Sequence, residues 1–202
     1  MRNALAIAAG TLTIIAAIPY ILDIIKGKTK PNIVSWLTWT LLLAIGTAGA
    51  YAGHEVRTAL LTTGDLIGTG LTLLLGLKYG IAKFSWFDGV CQVGALLGLA
   101  LWLVFNSPAV GIVVVIVVDL AGSIPTFRHS WLNPAEETWE TFAVIVFATI
   151  LTLLSLNHFS VVSVSYPAYL LSANGLIAAI VLYQRKKRGI KLSREGLHET
   201  VH

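Results

Sequence analysis

Seven stretches of mostly apolar residues, each about 20 residues long, follow one another along the chain and fill most of it. A helix of about 20 such residues crosses a bilayer core about 30 Å thick. Glycine, proline and asparagine, which favour turns, fall in the breaks between the stretches. This pattern predicts an all-α integral membrane protein with seven transmembrane helices. The predicted spans are 4–25, 33–53, 58–77, 85–105, 109–127, 138–157 and 163–183.

The composition supports lipid as the surrounding solvent. Hydrophobic residues make up 56% of the chain, charged residues only 12%, and the mean hydropathy is +0.79. A soluble domain carries roughly 25% charge and needs a largely polar surface. The first span is followed by Lys26, Lys28 and Lys30, whereas a cleaved signal peptide carries its charge before the apolar region. We therefore expect the first span to be retained.

The distribution of lysine and arginine predicts the orientation, because cytoplasmic loops are enriched in both. With the C-terminus in the cytoplasm, all of the 14 Lys and Arg residues except Arg2 and Arg57 fall on the cytoplasmic side. The N-terminus is then outside, and the number of spans is odd. The net charge of +4 is accordingly a topology signal and predicts no nucleic-acid partner. The short loops are typical of a multi-pass protein of a prokaryotic plasma membrane.

Residues 18–39 and 124–142 resemble each other once three residues are removed from the first loop. The aligned pairs are Pro19 with Pro125, Pro31 with Pro134, Ser35 with Thr138, Trp36 with Trp139, Thr38 with Thr141, and Trp39 with Phe142. Each segment covers the cytoplasmic loop between the first two helices of a group of three. We predict a 3+1+3 parallel repeat of triple-helix bundles. Its parts are a first bundle (1–83), a linker helix (84–107), a second bundle (108–184) and a basic cytoplasmic tail (185–202).

These features resemble the PQ-loop superfamily, which includes the SWEET and SemiSWEET sugar transporters and the lysosomal cystine carrier. That family has two triple-helix bundles around a linker helix, and a proline near the cytoplasmic end of the first and fifth helices, as at Pro19 and Pro125. The glutamine that follows this proline in the family is Tyr20 in one copy and Thr126 in the other. The resemblance implies a membrane transporter that works by alternating access. Sugars, amino acids and nucleoside-like solutes all remain open as its substrate.

The matched prolines predict hinges. A proline inside a helix removes one backbone hydrogen bond and clashes with the preceding turn. At equivalent places in two bundles, Pro19 and Pro125 would let the cytoplasmic ends of the first and fifth helices swing. The alternative is that both prolines only bend their helices, as prolines commonly do in membranes.

Four aspartates fall within the spans, where a carboxylate is costly enough to be a functional candidate. Asp23 and Asp88 lie within about one turn of a cytoplasmic helix end, so we expect them to reach water or a nearby lysine. Asp65 and Asp119 lie deeper, and we expect both to face the space between the two bundles. Burial of a carboxylate favours proton binding, so either residue could couple transport to protons.

Polar residues at helical spacing accompany the two deep aspartates and predict a hydrated cavity. Interhelical packing is the alternative, because threonine, serine and glycine are common where membrane helices touch. The three polar stripes are Thr58, Thr62, Asp65, Thr69 and Thr72 in the third span, Asp119, Gly122, Ser123 and Thr126 in the fifth, and Thr138, Thr141, Thr149 and Thr152 in the sixth.

The resemblance adds residues of the seventh span to this site. In SWEET proteins an asparagine in the third helix and another in the seventh face the substrate, and their nearest counterparts here are Asp65 and Asn174. Aligning the helix ends places Asp65 opposite Tyr169. The predicted substrate-binding or proton-coupling residues are therefore Asp65, Asp119, Asn174, Tyr169, Thr62 and Thr69.

Tryptophans near the predicted helix ends are typical of an interfacial belt. Trp36, Trp39, Trp86 and Trp139 lie near cytoplasmic ends and Trp102 near an outer end. Trp39 could instead line a pore and stack on a sugar ring.

The sequence contains no catalytic motif, so we predict no enzymatic activity, no cofactor and no metal site. The five histidines fall in predicted loops or the tail, and the seventh span lacks the lysine that a retinal protein needs. Three hypotheses follow: a small-solute transporter, a cation channel or ion-binding protein, and a non-transporting receptor or scaffold of the same fold. The expected partners are the lipid bilayer and a small-molecule substrate, and a homo-oligomer is compatible with the sequence.

Overall fold

The computed structural model describes residues 1–52, 56–80, 108–159 and 161–192, with the single positions 86, 89, 93, 100 and 104. This part of the chain is helical and contains no strand. Its helices are α1 (Arg2–Ile25), α2 (Ile33–Ala52), α3 (Val56–Tyr79), α4 (Pro108–Leu132), α5 (Trp139–Ser155) and α6 (Val161–Lys187), with a short 3-10 helix, η1, at Pro134–Glu136. The predicted linker span 85–105, apart from those single positions, lies outside the described residues, as do Asp88 and Trp102.

Three of the described helices are long and apolar enough to cross a membrane. They are α1, the Ala59–Tyr79 part of α3 and the Ser163–Lys187 part of α6. The Ile33–Ala48 part of α2 and the whole of α5 are apolar but shorter. An all-helical protein with several such helices fits the predicted membrane location.

Helix α1 turns small residues inwards and large apolar residues outwards. Its buried positions include Ala6, Ala9, Gly10, Thr13, Ala16 and Ala17. Its exposed positions include Ile7, Ile14, Ile15, Ile18, Leu22 and Ile25. A helix in water would bury the large side chains, whereas small residues at helix contacts and large ones outside suit a lipid surrounding.

The contact between α1 and α3 is made by backbone approaching backbone. A Cβ atom added at Gly10 would lie 2.7 Å from the carbonyl oxygen of Leu60. A Cβ at Gly68 would lie 2.7 Å from the Cβ of Ala17. Glycine is therefore required at both positions for the two helices to pack this closely.

The helices form a closed ring of contacts in the order α1, α3, α2, α4, α6, α5 and back to α1. Asn32 begins α2 by accepting hydrogen bonds from the backbone N–H groups of Val34 and Ser35 at 3.1 and 3.4 Å. Gly27, with φ of +69°, follows the end of α1 in a left-handed conformation that glycine adopts without strain.

An aromatic cluster lies inside the ring, towards the end formed by the loops after α1 and α4. The Tyr20 ring lies 4.8 Å from that of Trp36 and 6.1 Å from that of Phe142, between centroids. Trp36 is only 5% exposed, so the prediction that it belongs to an interfacial belt is wrong. Its neighbours on α1 and α5 cover it. Trp86, in contrast, is 84% exposed.

Candidate functional site

The carboxylate of Asp119, on α4, accepts hydrogen bonds from four side chains on three helices. Trp39 on α2 donates through Nε1 at 3.1 Å, and Ser123 on α4 through its hydroxyl at 3.3 Å. The hydroxyls of Tyr166 and Tyr169 on α6 donate at 3.1 and 3.0 Å. Trp39, Ser123 and Tyr169 contact Oδ1 and Tyr166 contacts Oδ2, and the Ser123 hydroxyl lies closer, at 2.8 Å, to the backbone carbonyl of Asp119. All of these donors are neutral groups. The arrangement ties α2, α4 and α6 together at one buried charge.

A cavity of about 40 Å³ lies beside this carboxylate. At roughly 10–15 Å³ for each water molecule, it has room for about three. It is lined by residues of α2, α3, α4, α5 and α6, and we call it the central cavity. The lining residues are Trp36, Trp39, Leu43, Asp65, Thr69, Asp119, Ser123, Phe142, Ile145, Tyr166, Leu170, Ala173, Asn174 and Ile177.

Asp65 lines the central cavity from α3, so both deep aspartates reach the same small space. Thr69, one turn further along α3, lines the cavity too and donates to the backbone carbonyl of Asp65 at 2.6 Å. Two carboxylates in one space of this size repel each other when both are charged. The site is therefore suited to binding a proton or another positive charge.

The other predicted site residues are divided between the cavity and its surroundings. Asn174 lines the cavity and donates to the carbonyl of Leu170 at 2.9 Å. Tyr169 binds Asp119, and its ring stacks on that of Tyr166 with centroids 6.2 Å apart. Thr62 is buried and donates to the carbonyl of Ala59 on its own helix at 3.3 Å, away from the residues that line the cavity.

The threonine stripe of α5 serves packing. Thr141 donates to the carbonyl of Ala16 on α1 at 2.8 Å, which joins two helices. Thr149 and Thr152 donate to carbonyls of their own helix at 2.8 and 3.1 Å. Of the three predicted stripes, those containing Asp65 and Asp119 contribute residues to the central cavity and that of α5 does not.

Sequence reasoning left Tyr166 out of the site and named Trp39 only as an alternative pore residue. Both donate to Asp119. Tyr166 and Tyr169 are three residues apart, which places both on one face of a helix next to Asn174. This spacing could have placed Tyr166 in the site together with Tyr169.

Pro19 and Pro125 lie inside α1 and α4, six and seven residues before the last residue of each helix. The residues that follow them are both buried: Tyr20 is 0% exposed and Thr126 is 1% exposed. The Thr126 hydroxyl has no hydrogen-bond partner among the described residues.

A second group of buried polar side chains lies where the α1–α2 loop meets the α4–α5 loop. We call it the loop cluster, and it consists of Tyr20, Asp23, Thr29, Glu137, Thr138 and Arg185. The Tyr20 hydroxyl donates to Oε1 of Glu137. Thr138 donates to Oδ2 of Asp23 at 3.0 Å and shares a hydrogen bond of 2.6 Å with Thr29. Asp23, which we expected to reach water or a nearby lysine, is therefore shielded from water by the neighbouring loop.

Arg185 closes the loop cluster from α6 and is only 1% exposed. Its Nε donates to the carbonyl of Pro134 at 3.0 Å and its Nη2 to the carbonyl of Glu137 at 2.8 Å. The sequence predicted it as the first residue of the basic cytoplasmic tail. The structure instead makes it a buried donor to the α4–α5 loop, which has carbonyls that no helix satisfies.

Glu137 lies in the loop just after η1, and burial raises its pKa to about 8. The Tyr20 hydrogen bond and the positive charge of Arg185 both lower this pKa, but they offset only part of the rise that burial causes. Beside it, Glu136 pairs with Lys30 at 2.5 Å and lies 3.7 Å from Nε2 of His129. His129, predicted in a loop, is in the last turn of α4, because that helix continues beyond the apolar span to Leu132.

Comparisons with protein-family models, with curated proteins and with solved structures return no match. Within the described residues, no group of three or more His, Cys, Asp or Glu side chains could hold a metal ion.

Proposed function

We propose that this protein transports a small solute by alternating access, coupled to protons through Asp65 and Asp119. The observation that carries the proposal is the placement of both carboxylates on one central cavity between helices of the two predicted bundles. Ionisable residues inside a membrane commonly mark solute or proton pathways. The protein would lie in a prokaryotic plasma membrane, with its N-terminus outside and its C-terminus in the cytoplasm.

The order of helix contacts supports a PQ-loop-like 3+1+3 architecture. Helix α3 packs between α1 and α2 in the first half, and α6 packs between α4 and α5 in the second. Between the halves, α1 contacts α5 and α2 contacts α4. If α1 is exchanged with α4, α2 with α5 and α3 with α6, the same six pairs of contacting helices are obtained. A parallel repeat with a two-fold axis along the membrane normal predicts such an exchange.

In the proposed transport cycle, this structure is closed towards the loop cluster. Trp36 and Phe142 line the central cavity and also pack against Tyr20, so they separate the cavity from the loop cluster. Bending of α1 at Pro19 and of α4 at Pro125 would pull Tyr20 away from both rings. The path from the cavity to the cytoplasm would then open.

Proton coupling follows from the two carboxylates. With both charged, the cavity would hold two negative charges in a space for about three water molecules. A proton on either carboxylate removes the repulsion, and its release on the other side of the membrane would drive the conformational change. This requires that the cavity be open to one side at a time.

The test is transport by the purified protein in sealed liposomes that contain a pH-sensitive dye. Sugars, neutral amino acids, carboxylic acids and quaternary amines are added in turn, with and without a proton gradient. We expect at least one class to move protons, and Asp65→Asn and Asp119→Asn to abolish that movement. Charge movement by any inorganic cation, without solute exchange, would favour the cation-channel hypothesis. No response to any solute or ion would favour a receptor or scaffold.

A further inference from the structure

The predicted spans contain acids and no base. Asp23, Asp65, Asp88, Asp119 and Glu140 lie within them, whereas no span contains a lysine, arginine or histidine. The described residues that line the central cavity show the same bias, since two carboxylates face it and no cationic side chain does. A charge buried without a partner is strongly destabilising. The described lining residues therefore do not supply the positive charge that would balance this cavity, whereas a bound cation or proton would.

Aromatic rings form much of the wall around the two carboxylates. Trp36, Trp39 and Tyr166 all line the cavity. The hydrogen bonds from Trp39 and Tyr166 to Asp119 fix both rings beside that carboxylate. Trp39 also packs edge-to-face on Trp36, with centroids 5.1 Å apart. Indole and phenol faces attract cations, most strongly where water is excluded.

We infer that the transported solute is a small organic cation, an ammonium or quaternary amine, and that it exchanges for protons. The inference rests on the proposed transport function. The ammonium would lie between Asp65 and Asp119, against the aromatic faces. An anion would meet two like charges, and a neutral sugar would leave both carboxylates unbalanced.

Exchange follows because the ammonium and the proton neutralise the same carboxylates. One positive charge enters the site as another leaves it, so release of the amine on one side is matched by binding of a proton there. The cavity of about 40 Å³ has room only for water-sized molecules in the closed conformation. Amine binding therefore requires the site to widen, as the swing of α1 and α4 would allow.

The experiment uses the full chain in sealed liposomes with an internal pH dye and choline as the solute, because choline carries a permanent charge and cannot cross lipid as a neutral base. Its carbon isostere, 3,3-dimethylbutan-1-ol, is the matched neutral control. In parallel, tryptophan fluorescence of the purified protein reports binding of choline and of ethanolamine hydrochloride. We expect choline to drive protons out of the liposomes and the isostere to have no effect. We also expect the amine affinity to fall by up to about tenfold for each unit by which the pH is lowered, because protons compete for the same carboxylates.

Variants separate charge from packing. Asp65→Asn should abolish choline exchange, whereas Asp65→Glu should retain part of it because the charge is kept. Trp39→Phe should retain most of the amine affinity and Trp39→Leu should lower it about tenfold, since only the former keeps a ring face. Thr11→Val, at an exposed position on the outer face of α1, is the unaffected control.

The outcomes are distinct. Transport of sugars or neutral amino acids with no transport or binding of either amine would overturn the organic-cation inference and leave the transporter standing. Amine binding without proton movement would overturn the exchange. The absence of any solute transport, with the protein folded, would overturn the proposed function and this inference with it.

Discussion

The central cavity and the loop cluster each contain two carboxylates, but they compensate them differently. In the loop cluster, Tyr20 donates to the carboxylate of Glu137 and Thr138 donates to that of Asp23. The guanidinium of Arg185 donates to the backbone carbonyl of Glu137, and its positive charge lowers the pKa of the Glu137 side chain. At the central cavity, neutral indole and hydroxyl groups satisfy Asp119, and the described lining residues provide no cation.

On the proposed function, this difference separates acids that stabilise the loops from acids that take part in transport. A buried carboxylate with its own cation and hydrogen bonds holds neighbouring segments together. A buried carboxylate that borders open space and has no cation is poised for a proton or a charged ligand. Loss of a group from the loop cluster should mainly reduce stability, whereas loss of charge at the cavity should mainly reduce transport.

The largest expected effect on stability is that of Arg185→Met. The substitution removes the donors to the carbonyls of Pro134 and Glu137 and leaves the buried acids without their cation. We expect a loss of about 3–5 kcal/mol in the free energy of unfolding. The measurement is thermal or denaturant unfolding of the purified protein in detergent.

Arg188→Met provides the matched control. Arg188 also donates to two carbonyls, of Leu132 and Trp131, at 2.8 and 2.9 Å, but these bonds are exposed. Its loss should cost about 1 kcal/mol or less. Equal losses for the two substitutions would show that burial of Arg185 has no special role.

Asp119→Asn and Asp65→Asn should have the opposite effect: a small loss of stability and a large loss of transport. Both keep the size of the side chain, so we expect changes in stability of about 1–2 kcal/mol or less. Solute-driven proton movement should fall at least tenfold, because asparagine cannot bind and release a proton. Flux in the liposome assay and unfolding of the same preparations measure the two effects together. Unchanged transport and unchanged pH dependence in both variants would make these carboxylates structural.

The sequence located the helices well because span length and apolar content are local properties. The predicted spans at 4–25 and 33–53 correspond to α1 at Arg2–Ile25 and α2 at Ile33–Ala52. Asp65 and Asp119 each lie far from any loop in the sequence, and both line the central cavity. Apolar content could not show that α4 continues to Leu132, because a helix can extend past the bilayer.

The loop cluster was not predictable from the sequence. Tyr20 and Glu137 are separated by 117 residues, and Asp23 and Thr138 by 115, so only the packing of two loops brings them together. A charged residue near a helix end is usually hydrated, which is why we expected Asp23 to reach water or a nearby lysine and placed Arg185 in the cytoplasmic tail. Their burial depends on a neighbouring loop that local sequence does not reveal.

Glu137 should make the stability of the folded protein depend on pH. Its pKa is about 8 in the folded protein, against 4.5 for the ordinary side chain, so the folded state holds an extra proton between these values. Its contribution to stability is fully present below about pH 4.5 and is lost as pH rises to about 8, by at most about 1.4 kcal/mol per pH unit. Unfolding measured from pH 6 to pH 9 should show the decline.

Glu137→Gln tests that assignment. The amide keeps an acceptor for Tyr20 and cannot ionise, so the variant should match the wild type below about pH 4.5 and become increasingly more stable than it from pH 6 to pH 9. A parallel decline in both proteins would assign the pH dependence to other groups.

The smallest expected effects are those of Tyr166→Phe and Tyr169→Phe, which each remove one donor to Asp119. Either loss should cost about 1 kcal/mol of stability, because three donors remain on the carboxylate and its charge stays solvated by them. The Tyr166 ring, which lines the cavity, stays in place in both variants, so transport should weaken only a few-fold. The double variant should lose more than the sum of the single ones, since Asp119 then keeps only Trp39 and Ser123 and becomes a poorly satisfied buried acid. Unfolding and liposome transport of the two single variants and the double variant complete a double-mutant cycle. Strict additivity would show that the two hydroxyls are not coupled through Asp119, and it would contradict the view that they share in solvating this one carboxylate.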